Sequence, residues 1–233
     1  MFKGHPWEGE EFGAVEYEWY LAGGYVFNVE FDVNMKPFLD FCKQNGHRIN
    51  HLLMKIGSRL SCEFLPQRTV SLKKRDYPVR FPAGYVRLVK QGEDMLEHIG
   101  IEERGDGFKE FNLRELINPY QRYMMTRHSR ITVFLAKRWF GAREAKKNYA
   151  LMISRNPLRK MNTKVSFHGT HYRTYVLTIP FGEKVSITFG APHALGNINF
   201  YEPFLLKFKT WMENPHSIPQ ELIEKKYQEA PSA

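Results

Sequence analysis

The stretch Gly190-Ala191-Pro192-His193-Ala194-Leu195-Gly196-Asn197 predicts a junction between a strand and a helix, with a histidine in it. It follows a run of residues typical of a β-strand and precedes an amphipathic pattern typical of an α-helix. Regular structure on both sides of such a junction can hold a histidine while its ring faces a cleft. Because the unperturbed pKa of imidazole is about 6.5, His193 is well suited to move protons at neutral pH. We therefore take His193 as the candidate general base.

The helix after this junction is predicted over residues 198–212 and ends at Asn214-Pro215. Asn197 comes directly before it, and asparagine is among the best residues for capping a helix N-terminus. Such a cap would also help to fix the loop that carries His193. One stripe of the helix is apolar and predicts a buried face. The stripe consists of Tyr201, Phe204, Leu205, Phe208, Trp211 and Met212.

The rest of the chain alternates between strand and helix patterns, as expected of an α/β fold. Strands are predicted at residues 24–33, 149–154, 172–180 and 184–189, and the last two are expected to form a hairpin. Helices are predicted at residues 34–43, with Asn34 as the cap, and at 49–64. Residues 77–101 predict two or three strands with turns at 82–84 and 91–92, and residues 104–107 predict another turn. Residues 112–140 predict a mostly helical segment.

The bulk composition predicts one intracellular domain. The chain has 233 residues and is 42% hydrophobic, which is enough to bury a substantial core. It has no apolar run of about 18 residues, so no membrane span is expected, and the first ten residues have no signal-peptide core. Only Cys42 and Cys62 are present. Two cysteines in a chain of this length indicate a reducing compartment, and we expect a cytoplasmic protein.

The formal net charge of +9 leaves three interpretations. It can mark a nucleic-acid binder, a site for an anionic cofactor, or a solvated basic surface. The basic clusters are short and form no recognised nucleic-acid motif, so nucleic-acid binding is not favoured. Arg155, Arg159, Lys160 and Lys164 are either a solvated loop or groups that meet the phosphates of a small molecule.

Several segments together resemble a known family. The stretch from His193 and Asn197 to Trp211-Met212-Glu213-Asn214-Pro215 is similar, without a gap, to a C-terminal signature. That signature belongs to the catalytic domains of 2-oxoacid dehydrogenase acyltransferases and to the chloramphenicol acetyltransferases. Residues 25–39, 48–55 and 152–157 resemble earlier family segments in the same order. The resemblance covers residues 25–215.

The resemblance implies an α/β two-layer sandwich of the chloramphenicol acetyltransferase-like type, with a mixed sheet and helices. Residues 1–233 would form one acyltransferase-like catalytic domain, without a lipoyl domain or a peripheral-subunit-binding domain. The implied assembly is a homotrimer with the active site between subunits. The implied reaction is coenzyme A-dependent acyl transfer, with acetyl as the expected group, to a small hydroxyl, amine or thiol acceptor. His193 would be the base, and a Ser or Thr hydroxyl would stabilise the oxyanion.

The chain departs from the family pattern around this histidine. Pro192-His193-Ala194 stands where the family usually has Asp-His-Arg or His-His, and Asn197-Ile198 replaces the usual Asp-Gly. Ser166 is the first candidate for the oxyanion hydroxyl and Thr163 is the second. The departures keep an alternative open: a non-catalytic trimeric scaffold or ligand-binding member of the same fold.

The other histidines give weaker predictions. His168 and His171 have a spacing that could indicate zinc, but a convincing third ligand is missing from the sequence nearby, so no metal site is expected. His51, near the start of the helix at residues 49–64, is expected at the surface or at an interface.

Overall fold

The fold is described from a computed structural model, in which the described residues are 26–65, 68–70, 76–88, 96–113, 149–155, 175–192 and 198–231. The strands are β1 (Val26–Asn34), β2 (Arg68–Val70), β3 (Asp76–Pro78), β4 (Phe81–Leu88), β5 (Leu96–Arg104), β6 (Gly107–Asn112), β7 (Tyr149–Arg155), β8 (Tyr175–Ile179), β9 (Lys184–Pro192) and β10 (Lys226–Gln228). The helices are α1 (Lys36–Gln44), α2 (Ile49–Phe64), α3 (Ile198–Glu213) and α4 (Gln220–Glu224), and a 3₁₀ turn spans Pro215–Ser217.

Within the described ranges, eight strands form one mixed sheet in the order β1-β9-β8-β7-β4-β5-β6-β10, and β2 pairs with β3 separately. The pairs β4–β7, β7–β8 and β6–β10 are parallel, and the other neighbours are antiparallel. Helix α2 contacts β4, β5 and β7, while α3 contacts β1 and both α1 and α2. The helices and the sheet thus form two layers, which confirms the predicted α/β sandwich.

Helix α2 joins the helical layer to the middle of the sheet. Its predicted bounds, residues 49–64, are confirmed. Leu53, Ile56 and Leu60 are fully buried on its inner face. Gly57 lets the helix approach β7 closely, because a Cβ atom at this position would lie 2.1 Å from Cδ1 of Ile153. The periodic apolar pattern therefore forms the buried face of α2, and Gly57 allows the short distance between α2 and the sheet.

Helix α3 packs on β8 and β9 through aromatic rings. The Phe189 ring lies 5.5 Å from the Tyr201 ring and 5.3 Å from the Phe204 ring, between centroids. Tyr175 completes the cluster at 5.4 Å from Tyr201, and all four side chains are buried. Burying a large apolar side chain stabilises the fold by roughly 1.5–3 kcal/mol. The stripe predicted on α3 is thus core.

The structure also confirms the hairpin of β8 and β9, the strand at β7 and the turn between β5 and β6. In that turn Gly105 has a φ of 54°, which glycine adopts without strain.

Three local predictions are wrong in part. Pro82-Ala83-Gly84 lies inside β4, because the pairing with β5 begins only at Ala83 and therefore does not need an N–H from Pro82.

Asn112 ends β6 instead of starting a helix, and residues 114–140 of that predicted helix lie outside the described residues. Asn34 belongs to β1, and Met35 occupies the position before α1. The Asn34 side chain nevertheless accepts a hydrogen bond from the Lys36 N–H at 3.2 Å. The Asn34 side chain thus satisfies one backbone donor of the first turn of α1, although Asn34 lies one residue before the N-cap position.

Candidate functional site

The predicted junction lies between β9 and α3. Strand β9 ends at Pro192 and helix α3 begins at Ile198, which confirms the strand and the helix on either side of His193. Residues 193–197, with His193 and Asn197, lie outside the described residues, as do Ser166 and Thr163. The roles of these four residues therefore remain predictions.

Both flanks of the junction are anchored in the core. Strand β9 lies between β1 and β8, and its pairing with β1 runs to Pro192, opposite Val26. Phe189 and Ala191 near its end are fully buried, as is Tyr201 in the first turn of α3. The elements that precede and follow residues 193–197 are therefore both fixed by core packing.

A cavity of about 670 Å³ lies elsewhere, between α2, the sheet and the C-terminal residues. Its volume is in the range of small-molecule sites. Apolar walls and a few charged groups line it. The lining residues are Asn50, His51, Met54, Tyr85, Val86, Arg87, Glu110, Met152, Ile153, Ser154, Arg155, Phe181, Tyr227 and Glu229.

One wall of the cavity is organised around the buried carboxyl group of Glu110. Its Oε1 accepts hydrogen bonds from the hydroxyls of Tyr85 at 2.9 Å and Tyr227 at 2.7 Å. Its Oε2 accepts one from the Ala230 N–H at 3.0 Å. Burial, and then the nearby Glu110 carboxyl, raise the pKa of both tyrosines. The two phenols thus remain protonated donors across the physiological pH range.

A second part of the cavity is formed where β7 ends. The Arg155 guanidinium donates from Nη1 to Asn50 Oδ1 at 2.8 Å and lies 4.2 Å from the centroid of the Phe181 ring. Ser154 places a hydroxyl group beside it in the lining. Arg155 was one of the basic residues considered for contacts with phosphates, and Arg159, Lys160 and Lys164 lie outside the described residues. Only Arg155 of this set can therefore be placed, and it lines the cavity.

His51 lies in the cavity lining, which the sequence did not predict. Its Nε2 lies 2.6 Å from Oε1 of Glu229, and its ring stacks on Tyr227 at 4.3 Å between centroids. The same Glu229 oxygen accepts a hydrogen bond from Arg48 Nη1 at 2.7 Å. The His51 bond lowers the pKa of the Glu229 carboxyl below its usual value. The sequence carries no signal of these contacts, because their partners are separated by about 180 positions.

The end of β9 and the Arg155 part of the cavity lie toward opposite ends of the sheet. Gly190 of β9 pairs with Val176, which pairs with Met152 of β7. Gly190, Val176 and Met152 thus lie side by side across three strands. Pro192 lies two residues from this row toward one end of the sheet, and Arg155 lies three residues from it toward the other end. At about 3.3 Å per residue, the two positions are separated by roughly 16 Å along the strands alone. Pro192 and Arg155 are therefore far apart along the sheet, while Met152, which also lines the cavity, lies in the row of Gly190.

Comparison with solved structures identifies the architecture. A truncated catalytic core of the 2-oxoacid dehydrogenase multienzyme complex from Thermoplasma acidophilum matches with a TM-score of 0.51 and 12% identity. The match covers 90% of this chain and 100% of that one. A chloramphenicol acetyltransferase matches with a TM-score of 0.52 and 8% identity, over 85% of this chain and 94% of that one. The fold is that of the chloramphenicol acetyltransferase-like acyltransferases. No protein-family profile and no curated protein sequence matches the chain.

The acyltransferase fold confirms the family resemblance found in the sequence at the level of architecture.

Two further findings concern the described residues alone. They contain no group of three or more His, Cys, Asp or Glu side chains placed to hold a metal ion, and His168 and His171 lie outside them. Among the helices in these ranges, none has the length and hydropathy needed to cross a membrane.

Proposed function

We propose that the protein is a coenzyme A-dependent acyltransferase that transfers an acyl group, acetyl in the first instance, to a small hydroxyl, amine or thiol acceptor. The observation that carries the proposal is the position of His193 directly after β9 in an acyltransferase fold. The cavity adds support, because its lining combines apolar side chains with Arg87 and Arg155, and coenzyme A is an anionic ligand with a long, uncharged arm.

In the proposed reaction His193 acts as the general base. Its imidazole takes the proton from the acceptor as the acceptor heteroatom attacks the thioester carbonyl carbon. The carbonyl oxygen becomes an oxyanion, to which the Ser166 hydroxyl, or that of Thr163, donates a hydrogen bond. The tetrahedral intermediate then breaks its carbon–sulfur bond, and the departing thiolate takes the proton from the imidazolium. A positioned base contributes about 10²–10⁴-fold to such a reaction, and an oxyanion donor contributes about 2.7–4 kcal/mol.

We assign Asn197 a positioning role. It directly precedes the first residue of α3, which is where a capping side chain acts. Satisfying a backbone N–H of the first turn would fix the start of the helix and, with it, one end of the five-residue connection that begins at His193. Phe189 of β9 and Tyr201 of α3, on either side of that connection in the sequence, are both buried.

The cavity is a candidate for the binding of part of coenzyme A. Met54, Val86 and Ile153 offer apolar surface to a pantetheine-like arm, while Arg155 and the rim residue Arg48 carry positive charge. A guanidinium group matches the geometry of phosphate oxygens. Because Arg155 lies roughly 16 Å from Pro192 along the strands, we infer that a second copy supplies the histidine to the Arg155 side of the cavity. A homotrimer with sites between subunits fits this separation.

We also propose a cytoplasmic location. Cys42 and Cys62 are both free thiols in the structure. Burial raises the pKa of the Cys42 thiol to about 11, so this group is neutral at physiological pH. Two unpaired thiols are compatible with a reducing compartment.

A second candidate function is a non-catalytic trimeric scaffold or ligand-binding protein. The observation that favours it is the altered sequence around the histidine, with Pro192 and Ala194 beside it and Asn197-Ile198 in place of Asp-Gly. A fold can persist after its chemistry has been lost.

The test is acetyl-coenzyme A turnover over a panel of hydroxyl, amine and thiol acceptors, compared between the wild type and His193→Ala. We expect a loss of about 10²–10⁴-fold in the variant. His216→Ala, which changes an exposed histidine of the 3₁₀ turn, is the control and should keep full turnover. Equal turnover in wild type and His193→Ala contradicts the catalytic role. Calorimetry with coenzyme A then separates the alternatives, since a ligand-free scaffold gives no binding heat.

A further inference from the structure

The C-terminal residues 225–231 form one side of the cavity. Strand β10 adds to the edge of the sheet by pairing in parallel with β6, from Lys226 opposite Gly107 to Gln228 opposite Lys109. Tyr227 and Glu229 line the cavity. Ala230 is buried beside Glu110. The shape of the cavity therefore depends on where this segment lies.

Backbone contacts hold the segment at both ends. At its start, the buried Lys55 ammonium donates to the carbonyl oxygen of Ile223 at 2.9 Å and also to that of Lys225. At its end, the Arg87 guanidinium donates to the carbonyl oxygens of Ala230 at 3.3 Å and Pro231 at 3.1 Å. None of these contacts involves the side chain of Glu229. The segment thus keeps its anchors when that side chain is altered.

Between the anchors, Glu229 contacts the lining residue His51 and also Arg48, which precedes α2. One of its carboxylate oxygens accepts from Arg48 at 2.7 Å and contacts His51 at 2.6 Å. Arg48 occupies the position before the first residue of α2, and the first turn of that helix contains no acidic residue. The side chains of Arg48 and His51 thus share one internal carboxylate oxygen. That carboxylate is 49% exposed, so ligands in solution can compete with it.

We infer that Glu229 is an internal competitor for anionic ligands of the cavity. A ligand that carries phosphate or another anion must displace the Glu229 carboxylate before it can use Arg48 and His51. The affinity of the cavity for such a ligand is therefore set in part by the C-terminal segment of the chain itself. This inference rests on the proposed function for the expectation that coenzyme A is the anion, but the competition applies to any polyphosphate.

The experiment measures binding of inorganic tripolyphosphate, coenzyme A and pantetheine to the wild type, Glu229→Gln and Glu224→Gln by calorimetry. Glu224→Gln is matched in charge, because Glu224 lies nearby on α4 and contacts Gln220 instead of the rim. We expect Glu229→Gln to raise the affinity for tripolyphosphate and coenzyme A by about two- to fivefold, the upper part of the range of an exposed ion pair. Pantetheine, which has no phosphate, should bind equally to all three proteins, and Glu224→Gln should match the wild type.

Two further variants separate competition from a general loosening. Arg48→Gln in the Glu229→Gln background should remove the gain, because one of the released donors is then missing. Lys55→Met loosens the start of the segment while leaving the Glu229 contacts in place, so it should not raise polyphosphate affinity. A gain in Lys55→Met equal to that in Glu229→Gln, or no gain in Glu229→Gln, overturns the inference. If tripolyphosphate shows the gain and coenzyme A does not bind, the inference stands and the proposed function fails.

Discussion

The two ends of the sheet are built on different physical principles. At the end where β9 leads into α3, four buried aromatic rings pack at centroid distances of 5.3–6.0 Å. At the end where β7 stops, hydrogen bonds and ion pairs surround a cavity of about 670 Å³. The first end is held by apolar packing and can support a fixed residue, while the second leaves space for a ligand. Tight apolar packing and an open cavity thus occupy different parts of the same sheet.

Phe204→Ala tests the packed end and should have the largest effect. Phe204 is fully buried against Phe189, and truncation of a buried phenylalanine costs about 3–5 kcal/mol because it leaves a cavity. Urea unfolding measures the loss. Leu206→Ala on the same helix is the control, since Leu206 is 56% exposed and should change the free energy of unfolding by less than about 0.5 kcal/mol. Equal losses in the two variants would show that the aromatic cluster does not stabilise this end.

Gly57→Ala tests the region where α2 meets β7, between the two ends. The added methyl group would lie 2.1 Å from Cδ1 of Ile153, and overpacking of this kind costs about 1–3 kcal/mol. Ile153→Val removes that Cδ1 atom. Gly57→Ala should therefore cost less in the Ile153→Val background than in the wild type, as measured in a double-mutant cycle of unfolding free energies. An additive cycle would contradict the contact.

Tyr227→Phe tests the hydrogen-bonded wall at the cavity end. It removes one of two hydroxyl donors to Oε1 of Glu110 and should cost about 1 kcal/mol. Tyr85→Phe removes the other donor and should have a similar effect. The double variant leaves this buried oxygen without either phenol and should cost more than the sum of the two single changes. A double variant no less stable than either single one would contradict this account of the wall.

Acidification below the usual glutamate pKa should produce the smallest effect, at the cavity end. The pKa of Glu229 is lowered in the folded protein, so its contribution to stability is present above the usual glutamate pKa and is lost as the pH falls through the folded value. The group is 49% exposed, and solvent screening limits the contribution to less than about 1 kcal/mol.

Amide hydrogen exchange as a function of pH measures this change locally. Exchange of residues 226–230 should quicken on acidification in the wild type more than in Glu229→Gln. Residues 187–191 of β9 serve as the internal control and should keep their protection. If both regions lost protection together, the two ends would not differ in their dependence on charge.

The sequence predicted the packed end far better than the cavity end. The bounds of α2, the apolar stripe of α3 and the hairpin of β8 and β9 follow from local periodicity, because each buried face repeats along one element. The turn predicted at Pro82-Ala83-Gly84 is wrong because proline and glycine are usual turn residues, whereas here they belong to β4. The pairing of β4 with β5 starts after the proline. The position of His193 between a strand and a helix was also predictable from such local patterns.

The cavity was not predictable for a physical reason. Tyr85, Glu110 and Tyr227 come from three strands and meet only after β10 has paired with β6. His51 and Glu229 are far apart in the sequence, and a single chain gives no signal that they meet. Arg155 was noted for its charge, but its contact with Phe181 depends on the register of β7 and β8. Interactions between elements thus require the topology, whereas interactions within an element do not.

The pairing of β1 with β9 also has a consequence for how the chain is made. Asn34 lies opposite Lys184 and Val26 opposite Pro192, so the edge strand meets its partner only after some 150 further residues have been synthesised. At roughly 5–20 residues per second, a strand emerging from the ribosome would wait about 8–30 s for that partner. Strand β1 carries Asn28, Glu30 and Asp32 at exposed positions along its length. Polar and charged side chains of this kind discourage an unpaired strand from joining the wrong neighbour, which protects the nascent chain until β9 arrives.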